Sequence, residues 1–276
     1  MYLLLGVPLF NIIVYNSLGL MQSFLFKMLV IFIRMSYNYL NYIQWSEYGL
    51  LLQLLTGSDL NWEIIVSYIF AALITIFLSM PVHECAHGFI AYKLGDNTAK
   101  NMGRLSLNPF RHIDWIGSAM MILVGFGWAN PVPVNMRNFR KPKVGMAITA
   151  LAGPVSNLLI SLLMLLFGRG SLAVSGMLGQ DTVAGVILLM RFLIACFVAE
   201  LNIYLAVINL IPIPPLVGSR ILNAILSDRA YYTLMRLERY TFIIVIGVVY
   251  IFGDYIDRFA NIILMFMGRL VGLPFF

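Results

Sequence analysis

The sequence predicts an all-α polytopic membrane protein, a bundle of transmembrane helices, on three observations. Of the 276 residues, 61% are hydrophobic and only 11% are charged, whereas ordinary soluble domains carry about 25% charged residues. Uncharged runs close to the roughly 20 residues that span a bilayer recur along the chain, as at 64–82 and 144–168. The basic residues lie in loops beside these runs, so the net charge of +6 indicates membrane flanks and not a nucleic-acid partner.

Residues 1–60 form an apolar N-terminal extension, which is broken by Pro8, Lys27 and Arg34 and carries no chemical motif. It predicts either one span with an interfacial helix or a helical hairpin. No cleavable signal peptide is expected, because the first 26 residues are uncharged and lack a positive n-region.

The first core helix is predicted over about 62–94, and a polar loop follows at 95–114. Asp114 is expected to cap the next helix. Residues 115–136 are uncharged but rich in glycine and proline, which argues against a straight spanning helix. They predict a re-entrant segment or a β-hairpin, whose backbone must be covered by protein or by a water-filled cavity.

Two further helices are predicted over 144–168 and 183–211, and the second ends at the prolines of IPIPP (211–215). A short apolar run at 240–252 and an apolar tail follow. The expected organisation is therefore an extension over 1–60, a core over 61–252 and a tail over 253–276.

The distribution of charge predicts the orientation of these spans. Eight lysines and arginines lie between residues 93 and 143 and four between 220 and 239, whereas the loop 168–183 contains only Arg169. The two basic loops are therefore expected on the cytoplasmic side, because positive loops stay there.

The pentapeptide HECAH (83–87) carries the most informative chemistry. His83 and His87 are one helical turn apart on one face, so both imidazoles can bind one Zn²⁺ while Glu84 acts as general base on its water. HExxH alone is a weak pattern. Here, however, it lies in an otherwise uncharged span, where each ionisable group costs about 2.5–3.5 kcal/mol unless paired or facing a cavity. A functional site is therefore the preferred interpretation.

Five motifs occur in order: HECAHGFIAYKLGD, GRLSLNPFRHIDWIGS, GFGWANPVPVN, ALAGPVSN and NLIPIPPLVGSR. Together they resemble the site-2 protease family, and more narrowly its short prokaryotic members without a PDZ insertion. The resemblance covers about 62–252. It implies an intramembrane zinc metalloprotease of a prokaryotic plasma membrane. Such enzymes cut transmembrane or membrane-proximal segments of substrate proteins, which is termed regulated intramembrane proteolysis. The charge distribution adds that the site should lie near the cytoplasmic side, because the histidines are on the helix that leads into the first basic loop.

The resemblance also implies the roles of individual residues. His83 and His87 would bind one Zn²⁺, and Glu84 would activate the water. Asn157 would face the site and hold the substrate backbone or the oxyanion. An extended substrate strand would pair with the segment formed by Pro131, Val132, Pro133 and Val134, which would keep its scissile amide unwound.

One position departs from the family pattern. The family reads LDG after the prolines, with the aspartate as third zinc ligand, whereas this chain has Leu216, Val217 and Gly218. Valine cannot coordinate a metal, and a catalytic zinc keeps three protein ligands and a water. Glu200 lies 17 residues from Val217, about 25 Å along a helix, and is expected to make a satisfied contact between helices.

Three functional hypotheses remain open from the sequence. The chain is an active intramembrane protease with an unusual site, a pseudoprotease that binds membrane segments without cutting them, or a small transporter. The transporter ranks lowest, because no internal repeat occurs. The sequence leaves the substrate, the trigger and the oligomeric state open.

Overall fold

The computed structural model describes residues 62–124, 127–178, 182–214, 216–222, 224–227, 229–230, 236 and 240–273. The N-terminal extension predicted over 1–60 lies outside the described residues. In the described ranges, most residues are helical, and three helical stretches are long and apolar enough to cross a membrane. These are Ile64–Lys93, Pro142–Ser175 and Val183–Leu210. The prediction of an all-α polytopic membrane protein is confirmed.

The first span contains α1 (Trp62–Ile74), a π-helical turn (Thr75–Ser79) and α2 (Met80–Lys93), which carries HECAH. The π turn directly precedes Pro81. Proline has no N–H and its ring crowds the preceding turn, so the regular hydrogen-bond ladder cannot pass through this point. The helix predicted over 62–94 is confirmed, with this one local change of winding.

The polar loop after α2 contains α3 (Thr98–Asn101) and a 3₁₀ turn (Pro109–Arg111), and α4 (Trp115–Val124) follows it. Asp114 caps α4 as expected, since its Oδ1 accepts the Gly117 N–H at 2.8 Å.

From residue 127 the chain is extended, and a second 3₁₀ turn (Met136–Asn138) follows. Of the two predicted alternatives for 115–136, the β-hairpin is not formed in the described part of this region. A single antiparallel bridge joins Ile113 and Ala129. Pro131 and Pro133 have no N–H to donate to a ladder, which explains why the bridge does not extend into strands.

The remaining helices are α5 (Pro142–Leu178), α6 (Val183–Leu210), α7 (Val217–Leu222) and α8 (Thr241–Leu270). The predicted end of α6 is confirmed, because the chain turns extended at Ile211, directly before Pro212. Helix α6 occupies the centre: residues 195–208 are all buried. It packs against α1, α5 and α8, and Asn202 Nδ2 donates to Ser79 Oγ at 2.9 Å across the interface.

Helices α5 and α8 are longer than the apolar runs that predicted them. Helix α5 continues past 168 because the guanidinium of Arg169 donates to the Val271 carbonyl at the end of α8. Helix α8 continues past 252, and the Tyr204 hydroxyl donates to the buried Asp257. No helix end marks residue 252, where the core is predicted to finish.

Candidate functional site

The predicted site residues meet at a cavity of about 370 Å³. Helices α2, α5, α6 and α7 and the extended chain after residue 127 form its walls, which are mostly apolar. Among the residues predicted for the site, the following line the cavity: His83, Glu84, His87, Asn157, Pro131, Val132, Val134 and Val217. Pro133 is outside the lining.

The two histidines of HECAH face each other inside the cavity. Their Nε2 atoms are 3.1 Å apart, and each residue is only 8% exposed. His87 Nδ1–H donates to the Thr149 carbonyl of α5 at 2.7 Å. This bond fixes the tautomer of His87 and directs the Nε2 lone pair toward His83, as the outer partners of metal-binding histidines do. His83 Nδ1 has no partner within the described chain.

The imidazole pair suits a zinc ion. Zinc binds histidine nitrogens at about 2.0–2.1 Å, so two nitrogens on one tetrahedral zinc lie about 3.3 Å apart. The observed 3.1 Å between the Nε2 atoms is close to that spacing. Two ligand positions therefore fit the metal that the motif predicts.

The third ligand position does not fit. Val217, the first residue of α7, lines the same cavity with a hydrocarbon side chain. A Cβ on the next residue, Gly218, would overlap the carbonyl oxygens of Leu210 and Ile211, so α7 begins in close contact with the end of α6. In the described residues no group of three or more histidine, cysteine, aspartate or glutamate side chains could hold a metal. The donor set is one ligand short of a catalytic zinc site.

Glu84 is hydrogen-bonded to the extended chain. Its Oε2 accepts the Val132 N–H at 2.8 Å, and the positive charges of Arg220 and Arg104 lie nearby. The carboxylate is therefore held by a backbone group of the segment predicted to bind substrate, and it does not replace the missing ligand.

Asn157 presents polar atoms to the cavity. It is fully buried on α5, where its amide interacts with the imidazole of His83 and has no other hydrogen-bond partner in the part of the chain described. A buried amide with incomplete hydrogen bonding costs free energy unless something else satisfies it. Asn157 therefore retains hydrogen-bonding capacity for a group that enters the cavity.

Two proteins with curated names are similar to this chain. The first is "Putative zinc metalloprotease YwhC" of Bacillus subtilis (strain 168), 37% identical over 172 residues, which cover 62% of this chain and 76% of that protein. The second is "Putative zinc metalloprotease Rip2" of Mycolicibacterium smegmatis, 26% identical over 192 residues, 66% of this chain and 68% of that protein. No family model and no solved structure matches the chain.

The chain belongs to the site-2 protease family of zinc metalloproteases. The cavity contains the two histidines, the glutamate and the asparagine that the family pattern has at these positions. It departs from the pattern at Val217, where the family has aspartate.

Glu200 takes no part in this cavity. It is buried at 4% exposure but does not line the cavity. Its Oε1 has no hydrogen-bond partner in the described residues, so the satisfied contact expected from the sequence is not found for this oxygen.

Arg220 and Trp128 also line the cavity, and neither was predicted from the sequence to be a site residue. Arg220 was identifiable, because it lies three residues after Val217 and positions i and i+3 share a helix face. Trp128 could not be identified in this way, because its position at the cavity depends on how the extended chain folds back onto the helices. A Cβ at Gly117 would lie 2.9 Å from the Trp128 nitrogen, so α4 and this chain meet at a glycine contact.

Proposed function

We propose that the protein is a site-2 type intramembrane protease whose hydrolytic activity is weakened at the metal. It binds an extended segment of a transmembrane substrate protein in the cavity and cuts it slowly, because Val217 leaves zinc with two protein ligands. One observation carries this proposal: the His83–His87 pair and Glu84 share a cavity with a valine at the third ligand position.

Residues of this chain support the binding half of the proposal. The cavity is mostly apolar, which suits the side chains of a membrane segment. Asn157 has further hydrogen-bonding capacity, beyond its interaction with His83, for a substrate carbonyl or amide. The extended chain at Pro131 to Val134 lies along the same cavity, where an unwound peptide would add to it by backbone hydrogen bonds.

We also propose the location of the reaction. His83 lies 10 residues before Lys93, about 15 Å along the helix, at the basic end of the first span. The basic loops favour the cytoplasmic side of a prokaryotic plasma membrane, so the cut would be made near that side.

The second candidate is a pseudoprotease that binds membrane segments and cuts none. The specific observation in its favour is that the binding features, Asn157 and the extended chain, are intact while the anionic ligand is replaced by hydrocarbon. The two candidates predict the same binding and differ in residual cleavage.

The test is Val217→Asp in the full chain in lipid nanodiscs, with Val217→Asn as the matched control that lacks the charge. We expect Val217→Asp to bind zinc at least about 100-fold more tightly than the unaltered protein, since even outer partners of ligands change affinity 10–100-fold. Metal analysis and competition with a chelator measure this. Equal zinc affinity in the two proteins would contradict the role assigned to Val217.

Cleavage of a model transmembrane substrate decides between the candidates. Slow cleavage by the unaltered chain, raised in Val217→Asp and abolished by Glu84→Gln, supports the weakened protease. No cleavage by the unaltered chain, with cleavage gained in Val217→Asp, supports the pseudoprotease. A Val217→Asp protein that binds zinc tightly and still cuts nothing overturns the assignment of a protease site.

A further inference from the structure

A side chain from the polar loop after α2 holds the extended segment by its backbone. Arg104 Nη2 donates to the carbonyl of Asn130 at 2.7 Å and to that of Pro131 at 3.2 Å. The next residue, Val132, gives its N–H to Glu84 Oε2 at 2.8 Å. Three consecutive residues of the segment therefore connect Arg104 with Glu84.

The segment depends on such side-chain bonds because it cannot hold itself in a sheet. Pro131 and Pro133 have no N–H, and one isolated bridge at Ala129 is the backbone pairing found in the described chain. The opposite end is held in the same manner, since Asp96 Oδ2 accepts the Asn135 N–H at 2.7 Å. Acceptors and donors from the loop thus replace a neighbouring strand.

The side chain of Val132 limits the segment to one register. It is 4% exposed and packs against α2, where a Cβ at Gly88 would lie 3.2 Å from Val132 Cγ1. A slip by one residue would exchange Val132 for a proline and remove the N–H that Glu84 accepts. Val134 lies in the cavity lining, two residues further along.

We propose that Arg104 is a positioning residue, which fixes the register of the extended segment against Glu84 and so aligns a bound peptide with the general base. The alignment of a peptide rests on the proposed function, whereas the fixing of the register does not. A planar guanidinium suits this role, because its N–H groups are held in a rigid fork and lose little freedom on binding two carbonyls.

Hydrogen–deuterium exchange tests the register directly in the full chain in nanodiscs. In Arg104→Ala we expect the Val132 amide to exchange about fivefold faster, the change that corresponds to one hydrogen bond of about 1 kcal/mol. The amide of Asn135 is the internal reference and stays unchanged, because Asp96 holds it. Lys100→Ala is the matched control: it removes an exposed charge from the same loop, where Lys100 contacts Tyr92 instead of the segment.

Three outcomes of the exchange experiment are informative. Faster exchange confined to Val132 supports positioning by Arg104. Faster exchange at both Val132 and Asn135 shows a general loosening of the loop and overturns the specific role. Unchanged exchange at Val132 overturns it as well.

Cleavage by the Val217→Asp protein tests alignment. Adding Arg104→Ala to that protein should lower kcat about 100-fold, the cost of a misplacement near 1 Å, while zinc affinity stays the same. Arg104→Lys should recover part of the loss, because it retains one donor. An unchanged kcat would overturn the alignment of peptide and base. If Val217→Asp itself cuts nothing, the proposed function fails, and the exchange result still decides the register.

Discussion

The approach of α5 to the histidine pair depends on one residue without a side chain. A Cβ at Gly153 would lie 2.5 Å from His83 Nε2 and closer still to His87 Nε2. Atoms at such separations overlap, and both imidazoles would have to move. Gly153 therefore permits the contact between α2 and α5 that also brings the Thr149 carbonyl to His87.

We predict that Gly153→Ala disrupts the site more than it disrupts the fold. Overpacking of this kind costs about 1–3 kcal/mol, and here it acts directly on the two ligands. Zinc binding should fall in both the unaltered and the Val217→Asp backgrounds when measured by chelator competition. The matched control is Gly170→Ala on the same helix, where a Cβ would meet nothing within 4 Å. Equal zinc affinity in the two alanine variants would contradict this prediction, because it would show that the histidines can move aside for the added methyl group and still bind zinc.

Residue identities in HECAH were sufficient to predict that His83 and His87 face each other, because their spacing on one helix fixes their geometry. The absence of a ligand at Val217 was equally visible in the sequence. Gly153 was not predictable, because its importance arises from a contact between residues 66 and 70 positions apart. The positioning bonds of Arg104 were hidden for the same reason: they join a loop to a segment 26 residues further on.

At the scale of elements, apolar runs predicted where helices lie but underestimated two lengths. Arg169 ends the apolar run of α5, and the charged residues Asp254, Asp257 and Arg258 follow the run of α8. The side chains of Arg169 and Asp257 each have a partner outside their own helix, and such pairing lowers the cost of a charged group within a span. In the extended segment, the prolines correctly predicted that no straight helix forms. The hydrogen bonds that hold the segment could not be predicted, because they come from side chains of α2 and of the polar loop.

The loop that supports the extended segment should be sensitive to pH through His112. This residue is fully buried; its Nε2–H donates to the Ser106 carbonyl at 2.7 Å, and its own carbonyl accepts the Asn130 N–H at 2.7 Å. Burial lowers the pKa of His112 below its ordinary 6.5. As pH falls below 6.5, the unfolded chain therefore binds a proton that the folded loop does not, and the free energy of unfolding decreases.

We predict that His112→Gln removes this part of the pH dependence. Between pH 7.5 and 6.5 the two proteins should respond alike, and below pH 6.5 the unaltered protein should lose stability faster. The difference should stay under about 1.4 kcal/mol per pH unit, the limit for one proton. Denaturation in mixed micelles at several pH values measures it. Asp96 does not titrate in this pH range. Burial raises the pKa of its carboxyl group, but hydrogen bonds from Thr98, Asn138 and Asn135 outweigh burial and hold the pKa below 3.8. Parallel curves for the two proteins down to pH 5 would contradict the role of His112.

At the scale of the whole molecule, the charge pattern and the position of the site are linked. The first span runs from Ile64 to Lys93, and the histidines lie in its second half, near the basic loop. Positively charged loops tend to remain in the cytoplasm, which predicts the orientation of the spans. That orientation in turn decides from which side of the membrane a substrate reaches the cavity.

We predict that the loop around Lys100 faces the cytoplasm and that the start of α6 faces the opposite side. Lys100 is exposed in the basic loop, and Val183 is 79% exposed at the N-terminus of α6. Lys100→Cys and Val183→Cys, each in a chain with Cys85 and Cys196 replaced by alanine, place one thiol on either side. A membrane-impermeant thiol reagent should label Val183→Cys in intact cells and Lys100→Cys only in inverted vesicles. The reverse pattern would place the basic loops outside and move the cavity, with His83 about 15 Å along the helix from Lys93, to the outer half of the membrane.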